Sequence, residues 1–385
     1  MGKCLLKDKT EFSKDNTLAL KGIAIIMMMF HHLFRKKSLF ADYKISFFPL
    51  NQEIVVQASS MFKICVSIFV FITGYGLMLS IKKQFPKGEW TNKQIFSWVS
   101  NRIIKTMAGF WIVAILAYII CQIIDNTTYN YFFKENGIVY GTLYIIMNFL
   151  GLTKVFRLGH FNSSWWYMGI AILFIISIPL FVKLFKHYGY ASVLIAIIVV
   201  PRIIDWEFET SGYISFLFPL LLGMIFAEKN LMTKISNFTV IKKNKYVNKI
   251  VKFIIGVILV ILSYFIYAEV PRNRFWEISY GVVPMIIICF LYEFILDIPI
   301  IKHILKFLGK HSMNIFLVHE FIRTTYLTDY IYSFRNFIKI GFMLLIISLG
   351  ISICIEVFKK IIKYDSWINK LVKKVDDKIC EMHTE

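Results

Sequence analysis

The chain consists of long apolar runs separated by short charged or polar stretches. Eleven apolar segments can be counted, at residues 18–34, 58–81, 103–124, 139–152, 165–185, 189–204, 213–228, 250–268, 277–297, 312–332 and 337–358. Most have roughly 20 residues, the length that an α-helix needs to cross the hydrocarbon core of a bilayer. They do not alternate apolar and polar residues as the strands of a membrane barrel do. The pattern therefore predicts an all-α, polytopic transmembrane helical bundle.

The fourth segment, residues 139–152, is short for a span and decides the predicted topology. Lys and Arg concentrate in five regions, and basic loops of membrane proteins lie mainly on the cytoplasmic side. These regions fall on one side, together with the N-terminus, if residues 139–152 do not cross. We therefore predict about ten spans with both termini in the cytoplasm. The basic stretch FRKKSLFADYK after the first segment is an exception, because this topology places it outside.

Composition adds expectations about partners and domains. Hydrophobic residues make up 57% of the chain, and the formal net charge at pH 7 is +20. Because Lys and Arg lie in loops and tails, we attribute this charge to membrane orientation and expect no nucleic-acid partner. The 6 cysteines are scattered without a CxxC pair, so we expect neither a disulfide framework nor a metal site. We expect a membrane domain over residues 1–358 and a basic, amphipathic cytoplasmic tail over residues 359–385, lying on anionic lipid.

The stretch NTLALKGIAIIMMMFHHLF contains three ionisable side chains, Lys21, His31 and His32. Ionisable residues inside spans are costly and often functional. Lys21 and His32 are eleven positions apart, which in an α-helix leaves a net rotation of about 20° and a rise of about 16 Å. Both side chains therefore project from one face, with Lys21 near the cytoplasmic surface, whereas His31 is turned about 100° away. The alternative is that Lys21 extends to the interface and that His32 is an ordinary interfacial histidine.

Several motifs resemble, in order, those of the acyltransferase-3 family of bacterial membrane O-acyltransferases. Lys21 and His32 match the first-helix motif of that family, a basic residue followed by ten residues and a histidine. FVFITGYGL, which contains Tyr75, resembles the second-helix motif. NRIIKTMAGFW resembles the third-helix Arg-x-x-Arg pattern, with Arg102 kept and Lys105 in the second position. The lysines keep the positive charge of arginine but lose its planar fork.

Two further motifs extend the resemblance to the later segments. WWYMGIAILFIISIP matches the Trp-to-Pro spacing of the family's middle helix, from Trp166 to Pro179, and LGKHSMNIFLVHEFI resembles a late segment that ends at His319. Many members carry an acidic pair after the middle tryptophan, and here those positions are Ala171 and Ile172. If that pair helps to place the acceptor, acceptor handling differs in this chain.

The resemblance implies an O-acyltransferase, and most simply an O-acetyltransferase, in the bacterial plasma membrane. Such proteins move an acyl group from cytoplasmic acyl-CoA to a hydroxyl, typically of a cell-surface or exported polysaccharide. The implied partners are acetyl-CoA or another acyl-CoA, a glycan or glycolipid acceptor, and membrane lipid, with no bound cofactor. Lys21, Arg102 and Lys105 are expected to hold the phosphates of the donor. His32 is expected to act either as a general base or as a transient acyl carrier.

Other residues are further candidates, each with a structural alternative. His319 and Glu320 lie inside a span, where a histidine and a carboxylate indicate a site or relay, or else a satisfied structural pair. Trp166 and Tyr75 are candidates because they lie in the family motifs. For Trp166 the alternative is a place in the aromatic belt at the membrane interface. His31 is a candidate through its position beside His32. For Arg102 and Lys105 the alternative is topological, because basic residues are expected at a cytoplasmic helix end in any membrane protein.

Three other functions compete with acetyl transfer. The donor could be succinyl-CoA, which changes only the size of the pocket. A transporter or flippase of a polysaccharide intermediate would also have about ten spans, but such proteins often show two related halves, and no internal repeat is visible. A sensor that binds acyl-CoA without turning it over would keep the phosphate-binding cations and would not need His32.

Overall fold

The computed structural model describes residues 11–204, 212–242 and 244–381. Their regular secondary structure is helical, and the one β-type contact given for them is an isolated bridge between Ser46 and Asn336. The helices of the first part are α1 (Lys14–Phe34), α2 (Gln52–Met61), α3 (Ile64–Gln84), α4 (Asn92–Asp125), α5 (Thr127–Phe132), α6 (Gly137–Phe149), α7 (Trp166–Tyr188), α8 (Tyr190–Ile203) and α9 (Tyr213–Lys229). The all-α prediction is confirmed.

The described residues after α9 add seven helices and three π-helical stretches. The helices are α10 (Leu231–Asn237), α11 (Lys245–Glu269), α12 (Val283–Phe290), α13 (Pro299–Glu320), α14 (Thr328–Tyr332), α15 (Phe337–Ile361) and α16 (Tyr364–Glu381). The π-helical stretches are Ile278–Val282, Leu291–Ile295 and Phe321–Tyr326. The third of these follows α13 directly, so the late histidine motif ends in irregular helix.

By length and composition, 7 of the described helices can cross a membrane, and 8 if the bent pair α9 and α10 is one span. This confirms a polytopic bundle, with fewer membrane-length helices among the described residues than the roughly ten spans predicted from the sequence. The segment at residues 189–204 forms α8, which has only 14 residues. The segment at residues 312–332 is shared between the end of α13 and the helical stretches after it. The fourth segment forms α6, a helix of 13 residues, short for a span as the sequence indicates.

The chain divides into two compact units. Unit 1 comprises Met1–Pro86, Leu180–Ser312 and Tyr332–Phe342. Unit 2 comprises Lys87–Pro179, Met313–Ile331 and Met343–Glu385. Each unit is thus assembled from stretches that are distant in the sequence, and each is described below by itself.

Glycines set the closest helix crossings of unit 1. A Cβ atom on Gly74 of α3 would collide with the Leu220 carbonyl oxygen of α9, and one on Gly223 of α9 would collide with the Phe71 carbonyl oxygen of α3. Small residues that let helix backbones approach are typical of membrane helix packing. Gly74 of the FVFITGYGL motif is therefore explained by packing.

A second crossing of the same kind joins α1 to α13. A Cβ atom on Gly22 would collide with the Leu305 carbonyl oxygen, and one on Gly309 would collide with the Leu18 carbonyl oxygen. Two of the sequence motifs, LKGIAII and LGKHS, thus meet backbone to backbone inside unit 1. This contact fixes the segment of α1 that carries Lys21.

In unit 2 the tail helix α16 packs on the N-terminal half of α4. Asn101 Nδ2 donates to both carboxylate oxygens of Asp376, at 3.0 and 2.9 Å, and Ser97 Oγ donates to the same side chain at 2.5 Å. Tyr364 Oη donates to the Ala108 carbonyl oxygen at 2.9 Å. Burial raises the pKa of the Tyr364 phenol, which keeps this donor protonated. Within the predicted tail, α16 is therefore a helix with one face bound to α4.

Candidate active site

Lys21 and His32 lie on one uninterrupted helix in unit 1. The Ser13 side chain caps α1 by accepting a hydrogen bond from the Asn16 backbone N–H, and the helix runs without a break to Phe34. The Lys21 and His32 side chains are half-buried. Because the helix is continuous, the offset of eleven residues places them on one side, about 16 Å apart along the axis.

His31 is buried and has a defined hydrogen-bond geometry. Its Nδ1 donates to the Ser59 carbonyl oxygen at 2.8 Å, and Arg35 Nη1 lies 3.4 Å from its Nε2. Since Nδ1 carries the donated proton, Nε2 is the acceptor toward the guanidinium in the neutral ring. The His31 and His32 rings meet edge to face, with centroids 5.3 Å apart. His31 therefore holds Arg35 and supports His32 from the side.

The Ser59 carbonyl can accept from His31 because the helix breaks between α2 and α3. In a regular helix this carbonyl would accept from the backbone N–H of Lys63, four residues later. Here the Lys63 N–H donates to the Ser60 carbonyl instead, at 3.3 Å. The break thus provides a buried acceptor for a side chain of another helix.

The N-terminal half of α1 is tied to α13 by charge. The Lys306 ammonium donates to Asp15 at 2.5 Å, and Lys302 and Lys310 also act electrostatically on this carboxylate. These lysines lie on one face of α13, at intervals of four residues. Together with Lys21 they give this end of unit 1 a positive field.

Arg102 and Lys105 lie in unit 2, well inside the 34-residue helix α4. A capping box between Thr91 and Gln94 starts this helix, so it extends beyond the apolar segment that the sequence indicates. Arg102 is half-buried and its guanidinium lies 5.8 Å from the centre of the Trp98 ring, whereas Lys105 is exposed. The guanidinium is positioned by an aromatic face, and the lysine is available to solvent.

Trp165 and Trp166, the tryptophan pair of the middle motif, differ in burial and lie in unit 2. Trp165 is 3% exposed, and its Nε1 donates to the Leu317 carbonyl oxygen at 3.0 Å. Ser164 Oγ donates to the Phe316 carbonyl oxygen at 3.1 Å. Trp166, the candidate from the sequence, is half-buried. Trp165, which donates a hydrogen bond to α13, is thus the neighbour of Trp166, the candidate from the sequence.

His319 and Glu320 form a buried polar cluster in unit 2 with a third member, Arg323. His319 Nδ1 donates to the Phe316 carbonyl oxygen at 2.8 Å, and its Nε2 lies 3.4 Å from Glu320 Oε1. Arg323 Nη2 donates to Glu320 Oε2 at 2.7 Å. The histidine is fully buried and the carboxylate is 3% exposed. The sequence analysis missed Arg323, although its i,i+3 spacing from Glu320 inside a span was the available signal.

Tyr75 lies in the core of unit 1. It is 4% exposed, and its ring meets Phe12 edge to face with centroids 4.9 Å apart. Within the described part of the chain, Tyr75 is a packed aromatic side chain of the core. Unit 1 thus holds Lys21, His31, His32 and Tyr75, whereas the remaining candidates from the sequence lie in unit 2.

A comparison with protein families accounts for nearly the whole chain. The acyltransferase-3 family model, described as an acyltransferase domain, matches residues 19–357. The chain belongs to this family, and it is a multi-pass membrane acyltransferase. No curated protein and no solved structure matches the chain.

Proposed function

We propose that the protein transfers an acyl group, most simply acetyl, from cytoplasmic acyl-CoA to a hydroxyl of a cell-surface or exported glycan in the bacterial plasma membrane. Family membership supports acyl transfer in general. The observation that carries the finer proposal is the pair Lys21 and His32 on one continuous helix. A donor with phosphates at one end and a thioester at the other end of a long arm suits a cation and an imidazole spaced along one line.

The proposed chemistry at His32 has two forms. As a general base, the imidazole takes the proton of the acceptor hydroxyl while the oxygen attacks the thioester carbonyl. The new C–O bond forms, the C–S bond breaks, and the CoA thiolate leaves and takes up the proton. As a nucleophile, His32 first accepts the acyl group and then passes it to the hydroxyl. Lys21, Arg102 and Lys105 are proposed to supply positive charge for the donor's phosphates.

Turnover by the purified protein tests this proposal. The protein is reconstituted in lipid, and CoA release is followed with acetyl-CoA and with succinyl-CoA as donors. We expect release with at least one donor and a loss of about 100-fold or more in His32→Ala. His187→Ala, which changes an exposed histidine at the end of α7, is the matched control and retains the wild-type rate. Equal rates for wild type and His32→Ala would remove the histidine from the reaction.

Labelled donor separates the two roles of His32. The protein is mixed with radiolabelled acetyl-CoA in the absence of acceptor and denatured rapidly. Label that remains on wild type and is missing from His32→Ala indicates an acyl carrier. Label on neither protein, together with acceptor-dependent CoA release, indicates a general base.

A further inference from the structure

An apolar tip, residues 48–50, lies on the surface of unit 1 between α1 and α2. Phe48, Pro49 and Leu50 are consecutive and all exposed, and Phe48 is 78% exposed. Ile54, in the first turn of α2, is exposed as well. Contiguous exposed apolar side chains of this kind mark a surface that another molecule covers.

The backbone on both sides of the apolar tip is fixed. Phe47, directly before the tip, is buried, and its ring stacks on Phe337 with centroids 5.9 Å apart. The Leu50 N–H donates to the Phe47 carbonyl oxygen at 2.8 Å and closes the turn. Asn51 Oδ1 then accepts from the Ile54 backbone N–H at 2.8 Å and caps α2. The tip is therefore held outward by structured residues before and after it.

The helix α11, also in unit 1, presents an apolar stripe to the surrounding membrane. This helix is long enough to cross a bilayer, and only 11% of its apolar window is buried. Ile254, Ile258, Leu262 and Phe265 are all exposed and recur at intervals of three or four residues, so they lie on one face. In a membrane-spanning helix, such a face contacts the acyl chains of lipid.

A hydrogen bond joins this stripe to α2 and so to the apolar tip. Tyr264 Oη donates to Gln57 Oε1 at 2.5 Å. Tyr264 is the neighbour of Phe265 in the stripe, and Ile54 lies about one turn before Gln57 on the same side of α2. The apolar surface of α11 therefore continues over α2 toward the turn that precedes this helix.

The apolar tip also lies at the level of a membrane surface. It follows the C-terminal end of α1, and Tyr264 lies five residues before the end of α11 at Glu269. The predicted topology places both helix ends on the outer side. Asp42 and Lys44, in the same loop, are exposed and charged. A change from charged to apolar side chains within a few residues is typical of a segment at the boundary between headgroups and acyl chains.

We propose that the apolar tip inserts into the outer leaflet of the membrane and packs among phospholipid acyl chains just below the headgroups. The lipid that covers the stripe of α11 then covers Phe48 and Leu50 as well. Phe47 connects the inserted tip to α1, because its ring meets Phe34 edge to face with centroids 6.0 Å apart. Insertion thereby fixes the depth of the helix end that follows His32, and it does so independently of any acyl donor or acceptor.

Spin labelling of the full-length protein in phosphatidylcholine vesicles tests the insertion. Phe48→Cys, Leu50→Cys, Asp42→Cys and Phe265→Cys each introduce one label site in a background without the native cysteines. Collision of each label with oxygen, which concentrates in hydrocarbon, is compared with collision with a water-soluble nickel chelate. Asp42 is the matched control in water, and Phe265 is the control in lipid. We expect nickel collision at positions 48 and 50 to be about fivefold or more below that at position 42, with oxygen collision near that at position 265.

Two outcomes would overturn the proposal. Equal nickel collision at positions 48 and 42 would place the tip in water. Low collision of both reagents at position 48 would show that protein covers the tip, and dipolar coupling between labels on different molecules would then identify a second copy of the chain as the cover. CoA release enters none of these measurements, so this inference and the proposed function are tested separately.

Discussion

His31 and His32 are neighbours in the sequence, but their side chains have different surroundings in unit 1. His31 is buried and bridges the Ser59 carbonyl oxygen to Arg35. His32 is half-buried and shares a face of α1 with Lys21. The structure therefore separates a supporting histidine from the one proposed to react.

We expect His31→Ala to lower stability. The substitution leaves the buried Ser59 carbonyl without its donor, which costs about 1–3 kcal/mol. Thermal unfolding in detergent measures this loss, with His187→Ala as the control. An unchanged melting temperature for His31→Ala would show that the Ser59 contact contributes little.

Glu320 forms a buried ion pair with Arg323 in unit 2. Glu320→Gln removes the negative charge that faces Arg323 and leaves a buried guanidinium without compensation. Breaking a buried pair from one side costs about 3–5 kcal/mol. We expect a large drop in melting temperature or in folded yield, and a much smaller one for Glu53→Gln, because its partner Lys37 is exposed. Similar effects of the two substitutions would contradict this interpretation of the cluster.

At the scale of helices, close backbone contacts explain one glycine in each of three family-like motifs. Gly74 and Gly223 bring α3 and α9 together, and Gly22 and Gly309 do the same for α1 and α13. In each case the atom in the way of a side chain belongs to the backbone, which cannot move without shifting the helix. Packing therefore explains these glycines, and the proposed catalytic and binding roles belong to the ionisable residues of the motifs.

Gly74→Ala is expected to destabilise unit 1 by about 1–3 kcal/mol through overpacking. Gly76→Ala is the matched control, because it lies on the same helix with no atom within 4 Å of the added carbon. Thermal unfolding of the two variants provides the comparison. Equal melting temperatures would show that α3 and α9 are not in close contact there.

The tail helix α16 is bound to α4 through Asp376. Asp376→Asn weakens the acceptor for Ser97 and Asn101, so we expect α16 to open more often and to be cleaved by protease roughly fivefold faster. Asp377→Asn changes the adjacent, exposed carboxylate and is expected to leave the cleavage rate unchanged. Faster cleavage of both variants alike would indicate a general charge effect.

The apolar runs predicted helices but not where each helix begins and ends. The helix α4 begins eleven residues before its apolar segment, because the Thr91–Gln94 capping box sets the start and a hydropathy pattern contains no such information. The break between α2 and α3 lies inside one apolar run. The hydrogen bond from His31 to Ser59 depends on that break, so the sequence could suggest His31 as a candidate but not its role.

For the whole molecule, the sequence motifs predicted the family, which the family comparison confirms over residues 19–357. The number of spans was harder to predict. A run of apolar residues does not show whether a helix is long enough, as the 14-residue α8 illustrates. The division into two units was also beyond sequence reasoning, since each unit combines three separate stretches of chain.

The predicted topology can be tested in intact cells. Single cysteines are introduced by Lys36→Cys and Lys373→Cys in a background without the native cysteines. A membrane-impermeant maleimide is expected to label position 36 from outside and position 373 only after permeabilisation. Labelling of position 373 in intact cells would reverse the orientation on which the donor and acceptor sides are assigned.

The central claim is that this membrane acyltransferase esterifies a surface glycan through His32. The most direct measurement is the ester content of surface polysaccharide in a strain that lacks the protein and carries wild type, His32→Ala or His187→Ala at matched membrane levels. We predict that wild type and His187→Ala restore the esters and that His32→Ala does not. Restoration by His32→Ala to the wild-type level would contradict the account.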